Sequence, residues 1–515
     1  MKSAGPVALA FAALLGPCAA CGRDAAPPAP TGPRVLTVAV RADITGVFPN
    51  PPTRNEAFTI DLFSNVFEGL FRLDSALAVK PSLASGWETP DERTWLFRLR
   101  EGVRFSDGTP LTPEDVAASL RAAVERPFPT GAFLSAIASA EAVGPNEVRV
   151  TTREPSVVLP AFLTAGYVLP RAALERDPVP PVGSGPYVFV RRVPGREIVL
   201  ARNPFHEPAA PFDEVRLRIV PGAQERVEAL VAGTADIADN VPIDAVDRLS
   251  REKGLVVIAQ AGIRVLYLAP RVDRPPFSDP RVREALDLAI DRDELNARVY
   301  GGRGIPASQP VPVAVAGHDP SLAVVRADRR RARELVLAAS GGAGLDVVLD
   351  APSDRYLNDV ALAHEAARQM ELAGFRVTVR TWPKAEFFPF LETGASGLYL
   401  LGWVCDTLDA SDVLEGTFRT RSGSRPPNQN YQGLADAELD RLIDAAAATP
   451  DVGERLTRLR AAIARLYALR AAVSLVVMPE TIAFSSRIAW TPPPTLVLRL
   501  HEVRPATGAG PAGRR

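Results

Sequence analysis

Two segments signal helices by the same device, and the stretches between them have the period of strands, so the chain cannot fold as all-helix or all-strand. In TPEDVAASLRAAVE (112–125), Thr112 stands where a cap accepts the first free amides and Pro113 takes the first helical position. Glu114 and Asp115 follow where the helix dipole favours negative charge, and Val116, Leu120 and Ala123 fall on one face. In SDPRVREALDLAIDRDEL (278–295), Asp279 is the cap, Pro280 the first residue, and Val282, Leu286, Ala289 and Ile290 the buried stripe. VLTVAVR (35–41), VRLRIVP (215–221) and VVIAQ (256–260) read as strands. Two long amphipathic helices are expected around 436–448 (Leu439, Leu442, Ile443) and 452–470 (Leu456, Leu459, Ile463, Leu466), with strands at about 473–485 and 495–502. The class is mixed α/β.

At 515 residues the chain exceeds what one core organises, so two or three domains are expected. Its 47% apolar and 23% charged residues are ordinary for a folded protein. A net charge of -1 argues against nucleic acid, which needs a clustered basic excess. All but four of the 59 basic residues are arginine, the lysines being Lys2, Lys80, Lys253 and Lys384. No repeat at solenoid spacing occurs.

The first residues, MKSAGPVALAFAALLGPCAACGRD, carry one basic residue, a short apolar run, small residues and then cysteine. They resemble a bacterial lipoprotein signal, with the run too short to span a bilayer. Cys21, after Ala19 and Ala20, is the expected lipidation site, and Cys18, behind Pro17, is the alternative. Residues 1–21 are then the signal peptide. Residues 22–34, rich in Pro and Ala, form a tether from the membrane to an extracytoplasmic, periplasmic body. A redox reading of Cys18-Ala-Ala-Cys21 lacks the strand-to-helix setting such a motif needs. Cys405 is the remaining cysteine, and His206, His318, His364 and His501 lack ligand spacing, so no zinc site is expected.

Enzyme motifs are missing. GASGL (394–398) and VGSGP (182–186) are not nucleophile elbows, and no Gly-Lys pair exists for a phosphate loop. GGRG (301–304) lacks a third glycine, and His364-Glu365 lacks a second histidine. GWVCDTLDA (402–410) nevertheless gathers Trp403, Cys405, Asp406 and Asp409. It reads as a thiol site, a metal site, or carboxylates awaiting a cationic ligand. Asp409 can cap a helix in ASDVLEGTF, Trp403 can line a pocket or fill a core, and Cys405 fits a small half-buried hydrophobe.

NVFEGLFRLDSALAVKPSLASGWETPDERTWLFRLREGVRFSDGTPLTPEDVAASL (65–120) resembles the signature region of the extracellular solute-binding proteins of family 5, the peptide/nickel-type components of ABC importers. VGSGPYVF (182–189), LARNPFH (200–206), VAGTADIA (231–238), PPFSDPRVREALDLAIDRDEL (275–295), GWVCDTLDA and NYQGLADAELDRLI (430–443) are similar to later family elements, in order. Most of these motifs read as scaffold. Glu68, Arg104, Asp107 and Asp115 are expected to cap, turn or pair, and Gly183, Gly185 and Tyr187 to serve backbone and packing.

The resemblance implies a two-lobed periplasmic-binding-protein-like fold (flytrap, type II) with an accessory domain. Lobe one would comprise 34–67, 175–268 and 478–505, the accessory domain 68–174, and lobe two 269–477. It implies no enzyme activity and no cofactor. The expected function is capture of an oligopeptide or dipeptide by a lipid-anchored monomer that delivers it to an ABC permease. A nickel or other metal chelate, or an oligosaccharide, is the alternative cargo, and a membrane-tethered hydrolase a further one. Aligned on Gly402-Trp403, Asp406 holds the position whose carboxylate pairs with a peptide's α-ammonium. Trp403, Cys405 and Asp409 share its segment, and Phe58 contributes from the loop before FEGL. The family often has an acidic residue where this chain has Ser396-Gly397-Leu398, and Asp-Pro where it has Asp409-Ala410.

Overall fold

The strand Leu255–Pro270 runs antiparallel to Val473–Ser485 along nearly its whole length, and the rest of the molecule is built to either side of this pair. The structure, a computed structural model, describes residues 33–506 apart from 45–58, 60–61, 75–77, 126–133, 135, 165, 177, 406 and 423–427. The ladder is broken once in its middle. Ala261 pairs with Pro479 and Val265 with Val477, so Gly262, Ile263 and Arg264 stand opposite Met478 alone. Such a bulge bends and re-aims the strand.

On one side of the bulge the pair continues into strands 237–239, 35–40, 214–219, 197–202 and 187–193. On the other it continues into 398–404, 345–352 and 375–382. Each side contains a parallel portion: 35–40 with 214–219 and 237–239, and 345–352 with 375–382 and 398–404. Parallel strands need crossovers, and helices Ala223–Val231 and Asp359–Leu372 provide them. Each side also has its own buried cores. Leu36, Val38, Leu217 and Phe484 belong to the first lobe, and Leu286, Leu349, Leu400 and Val476 to the second. The chain passes between lobes at 262–264 and again at 478.

Residues 70–168 enclose a third core, including Phe97, Phe105, Leu120 and Val150. A four-stranded antiparallel sheet (84–88, 94–99, 147–152, 137–144) packs there on helix Pro113–Glu125. Thr112 and Asp115 cap that helix reciprocally. The Asp115 amide donates to Thr112 Oγ1 at 3.3 Å and the Thr112 amide to Asp115 Oδ2 at 2.9 Å. Asp279, Asp436 and Asp451 cap their helices through side-chain acceptors.

The scaffold motifs explain themselves. A Cβ on Gly183 would stand 2.0 Å from the Val66 carbonyl oxygen, and one on Gly185 would stand 2.7 Å from the Val66 carbonyl carbon. Glu68 accepts from Ser82, Asp107 from Thr109, and Arg104 donates to the Gly108 carbonyl. One expected strand is corrected. Residues 495–502 bury Leu496, Leu498 and Leu500 in alternation but join no ladder. The buried side-chain amide of Asn65 takes the place of a neighbouring strand, donating to the Leu498 carbonyl at 2.8 Å and accepting from the Leu500 amide at 2.9 Å. No helix among the described residues is long and apolar enough to cross a membrane.

Candidate ligand-binding cleft

Where the bulge separates the lobes, a cavity of about 90 Å³ opens between them. Its polar lining is Arg41, Asp239, Arg264, Glu480, Thr481 and Thr495, and Val404 borders it from the second lobe. Two of these positions follow from strand ends. Strands 35–40 and 237–239 are parallel neighbours, and Arg41 and Asp239 lie at their carboxyl ends. Val404 is likewise the carboxyl end of strand 398–404. In open parallel sheets the space beyond the carboxyl ends of strands is where ligands settle. Here both lobes aim such ends at one gap.

Arg41 pairs with Asp239 at 3.6 Å. Arg264, on the bulge, places its guanidinium 5.6 Å from the centre of the Tyr356 ring. The Tyr356 hydroxyl in turn accepts from the Gly402 amide at 2.8 Å and donates to its carbonyl at 3.2 Å, bracing the start of GWVCDTLDA. Gly402 has no room for a side chain there, since a Cβ would meet Leu266 at 2.4 Å. Lys384, half-buried at the start of helix Lys384–Glu392, has its pKa pulled down by burial and by Arg41. Glu480, half-buried on the return strand, has its pKa pushed up by burial; Arg264 and Arg41 oppose the rise and Asp239 adds to it.

The residues singled out from sequence divide differently. Asp406 and Phe58 lie outside the described residues, as do Cys18 and Cys21. Trp403, Cys405 and Asp409, placed in the ligand segment by resemblance, belong to the packing of lobe two. The Trp403 indole nitrogen donates to Asp412 Oδ1 at 2.9 Å, and its ring lies over Gly416, where a Cβ would stand 2.6 Å away. Asp412 is fully buried and also accepts from the Thr407 amide and hydroxyl, both at 3.1 Å. Cys405 is fully buried, so the half-buried expectation is corrected. Asp409 caps the short helix Ala410–Val413 through Ser411, and its carboxylate takes both terminal nitrogens of Arg455, at 2.5 and 2.8 Å. Trp403, within strand 398–404, and Cys405, just past it, pack into the lobe-two core, and the backbone of Asp409 bridges to Ala316 of the same lobe.

Sequence reasoning missed Arg41, Asp239, Arg264 and Glu480. One local signal existed for the last. Glu480 interrupts the apolar run LVVMPETIAF (475–484), and a charge inside a strand otherwise buried on both faces calls for an explanation. Among the described residues no group of three or more His, Cys, Asp and Glu is placed to hold a metal ion.

Comparison with known proteins gives one family and a consistent set of relatives. The model of bacterial extracellular solute-binding proteins, family 5 (middle region), matches residues 78–425. The glutathione-binding protein GsiB of Escherichia coli (strain K12) is 26% identical over 489 residues, covering 89% of this chain and 90% of GsiB. The structure of AgaA from A. tumefaciens R10, bound to agropinic acid, superposes with a TM-score of 0.82 at 23% identity. That match covers 92% of this chain and 99% of AgaA. A dipeptide-binding protein from Pseudoalteromonas sp. SM9913, in complex with Met-Leu, superposes with a TM-score of 0.82 at 20% identity. It covers 92% of this chain and all of the other (100%), and both structures share the two-lobed fold.

Proposed function

The chain belongs to the bacterial extracellular solute-binding proteins of family 5, and from that premise we propose that it captures a short peptide between its lobes and delivers it to the permease of an ABC importer. The observation that carries the reading is the cleft at the bulge, where lobe-one strand ends and the bulge itself bring guanidinium and carboxylate groups to one confined space that Val404 of lobe two borders. A free peptide is a zwitterion. Taking it out of water requires an anion for its ammonium and a cation for its carboxylate, and charged hydrogen bonds are strongest where water is excluded. Closure of the lobes then follows from the added contacts of the closed form, and a permease can distinguish loaded from empty protein. Glutathione, the ligand in the name of the E. coli relative, is itself a small peptide.

We assign the ligand's ammonium to Asp406, two residues past Val404 at the cleft border. Removing one partner of a buried charge pair costs on the order of 2–5 kcal/mol. Asp406→Asn is therefore expected to weaken binding of free-amino peptides by at least about tenfold. Calorimetric titration with Met-Leu and with glutathione checks this, and an unchanged Kd rejects the assignment. We further propose that Cys21 is lipidated and that residues 22–34 tether the body to the membrane. Cys21→Ser is expected to release the protein from the membrane fraction, which immunoblotting of fractionated cells reads directly.

A further inference from the structure

We infer that Glu480 is a ligand-binding residue, its carboxylate accepting a hydrogen bond from a main-chain N–H of the bound peptide. The inference rests on the peptide reading above and adds a contact to it.

The ladder builds the seat of Glu480. It pairs with Gln260 on the lobe-one side of the bulge, and its side chain lies over Gly262. A Cβ on Gly262 would stand 2.6 Å from Glu480 Cγ and 3.3 Å from Oε1, so only glycine leaves the carboxylate this place. From there Glu480 lines the cleft together with Arg41, Asp239 and Arg264. Among the described residues no hydrogen bond reaches its carboxylate and no cation stands within 4.0 Å of it. Its neighbours in the lining are placed differently: Asp239 has Arg41 at 3.6 Å, and the Thr481 hydroxyl donates to the Val241 carbonyl at 2.7 Å.

What this carboxylate lacks is a donor, not a charge. Arg41 and Arg264 match Asp239 and Glu480 in the lining, one for one. The two guanidinium groups act on Glu480 from a distance, against the upward push that burial and Asp239 give its pKa. An ion already faced by distant opposite charge, and partly withdrawn from water, gains most from a direct hydrogen bond. A dipeptide offers such donors at its ammonium and at its peptide bond, whatever its side chains, and brings no net charge into the balanced lining. A carboxylate kept ready for a ligand also weakens the empty protein, because a half-buried acceptor without a donor costs stability. Its removal is therefore expected to act in opposite directions on stability and on binding.

The test uses Glu480→Gln and Glu480→Met in the purified protein. By calorimetry both are expected to weaken binding of Met-Leu and Ala-Ala about tenfold or more, with the larger loss in Glu480→Met, which keeps no acceptor. Melting of the ligand-free variants is expected to rise by about a degree. Two modified peptides identify the donor. N-acetyl-Met-Leu lacks the ammonium, and the ester analogue of Met-Leu lacks the peptide N–H. In Glu480→Met the penalty for one of these modifications is expected to be about tenfold smaller than in wild type, and that modification names the donor. Three results overturn the inference and leave the peptide reading standing, since wild type still binds Met-Leu: unchanged affinity in both variants, wild-type penalties for both modified peptides, or weaker binding with lowered melting, which makes Glu480 a structural group. If wild type binds neither Met-Leu nor Ala-Ala, the peptide reading falls and takes this inference with it.

Discussion

Replacing Asp409 with alanine is expected to destabilise lobe two by about 3–5 kcal/mol, the cost of leaving a buried charge without its partner. The side chains of Asp409 and Arg455 are 11% and 9% exposed, so water does little to screen or replace the pair. Asp409 also accepts from the amide and hydroxyl of Ser411, in the first turn of the helix it caps, and its backbone bridges to Ala316. Residue 409 therefore joins three segments: its carboxylate ties the turn after the cleft strand to the helix Val452–Leu469, and its backbone ties that turn to the loop at 316. The melting transition of lobe two, followed by calorimetry, is expected to fall by on the order of 10 °C. A second variant separates lost charge from lost packing. Asp409→Leu combined with Arg455→Met removes both ions and is expected to recover most of the stability, because an apolar pair of similar volume often equals a buried ion pair. If the single replacement shifts melting by less than a degree, the pair does not hold lobe two together.

Gly183→Ala is expected to be comparably damaging for a different reason. The added methyl would sit 2.0 Å from the Val66 carbonyl oxygen and 2.7 Å from the Phe67 ring. Neither can yield cheaply. The Val66 carbonyl accepts from the Gly185 amide at 2.9 Å, and the neighbouring Asn65 carbonyl from the Tyr187 amide at 2.9 Å, so the two segments are stitched together at this point. Phe67 is buried in the lobe-one core. Overpacking of this kind costs about 3 kcal/mol or more when the obstacle is backbone. Gly397→Ala is the control, since nothing lies within 4 Å of the Cβ it would add. Urea midpoints of the two variants are expected to differ clearly, and equal midpoints would mean the junction relaxes freely.

The helix caps, the Gly-x-Gly-Pro-Tyr junction and the alternation of strands and helices were legible because each depends on residues within a few positions. Thr112 with Asp115, or Asp279 before Pro280, acts over one turn. GWVCDTLDA was located but only partly understood. Its composition suggested a site, whereas Trp403, Cys405 and Asp409 are held by Asp412, the lobe-two core and Arg455. Arg455 is 46 residues from Asp409, and no spacing rule reaches that far. Residues 495–502 misled in the opposite sense. Their alternation is real, but the partner is the amide of Asn65, more than four hundred residues earlier (433 to Leu498), rather than a strand.

Sequence alone determined the elements, their caps, the close-packed glycines and the family to which the chain belongs, because those are written in local chemistry and in ordered motifs. Only the tertiary structure decided which charges share the cleft. Arg41, Asp239, Arg264 and Glu480 come from four separate strands or strand ends, and they meet because a bulge at 262–264 turns two lobes toward each other. A side chain's direction in a sheet is set by register, and register past a bulge depends on the opposing strand.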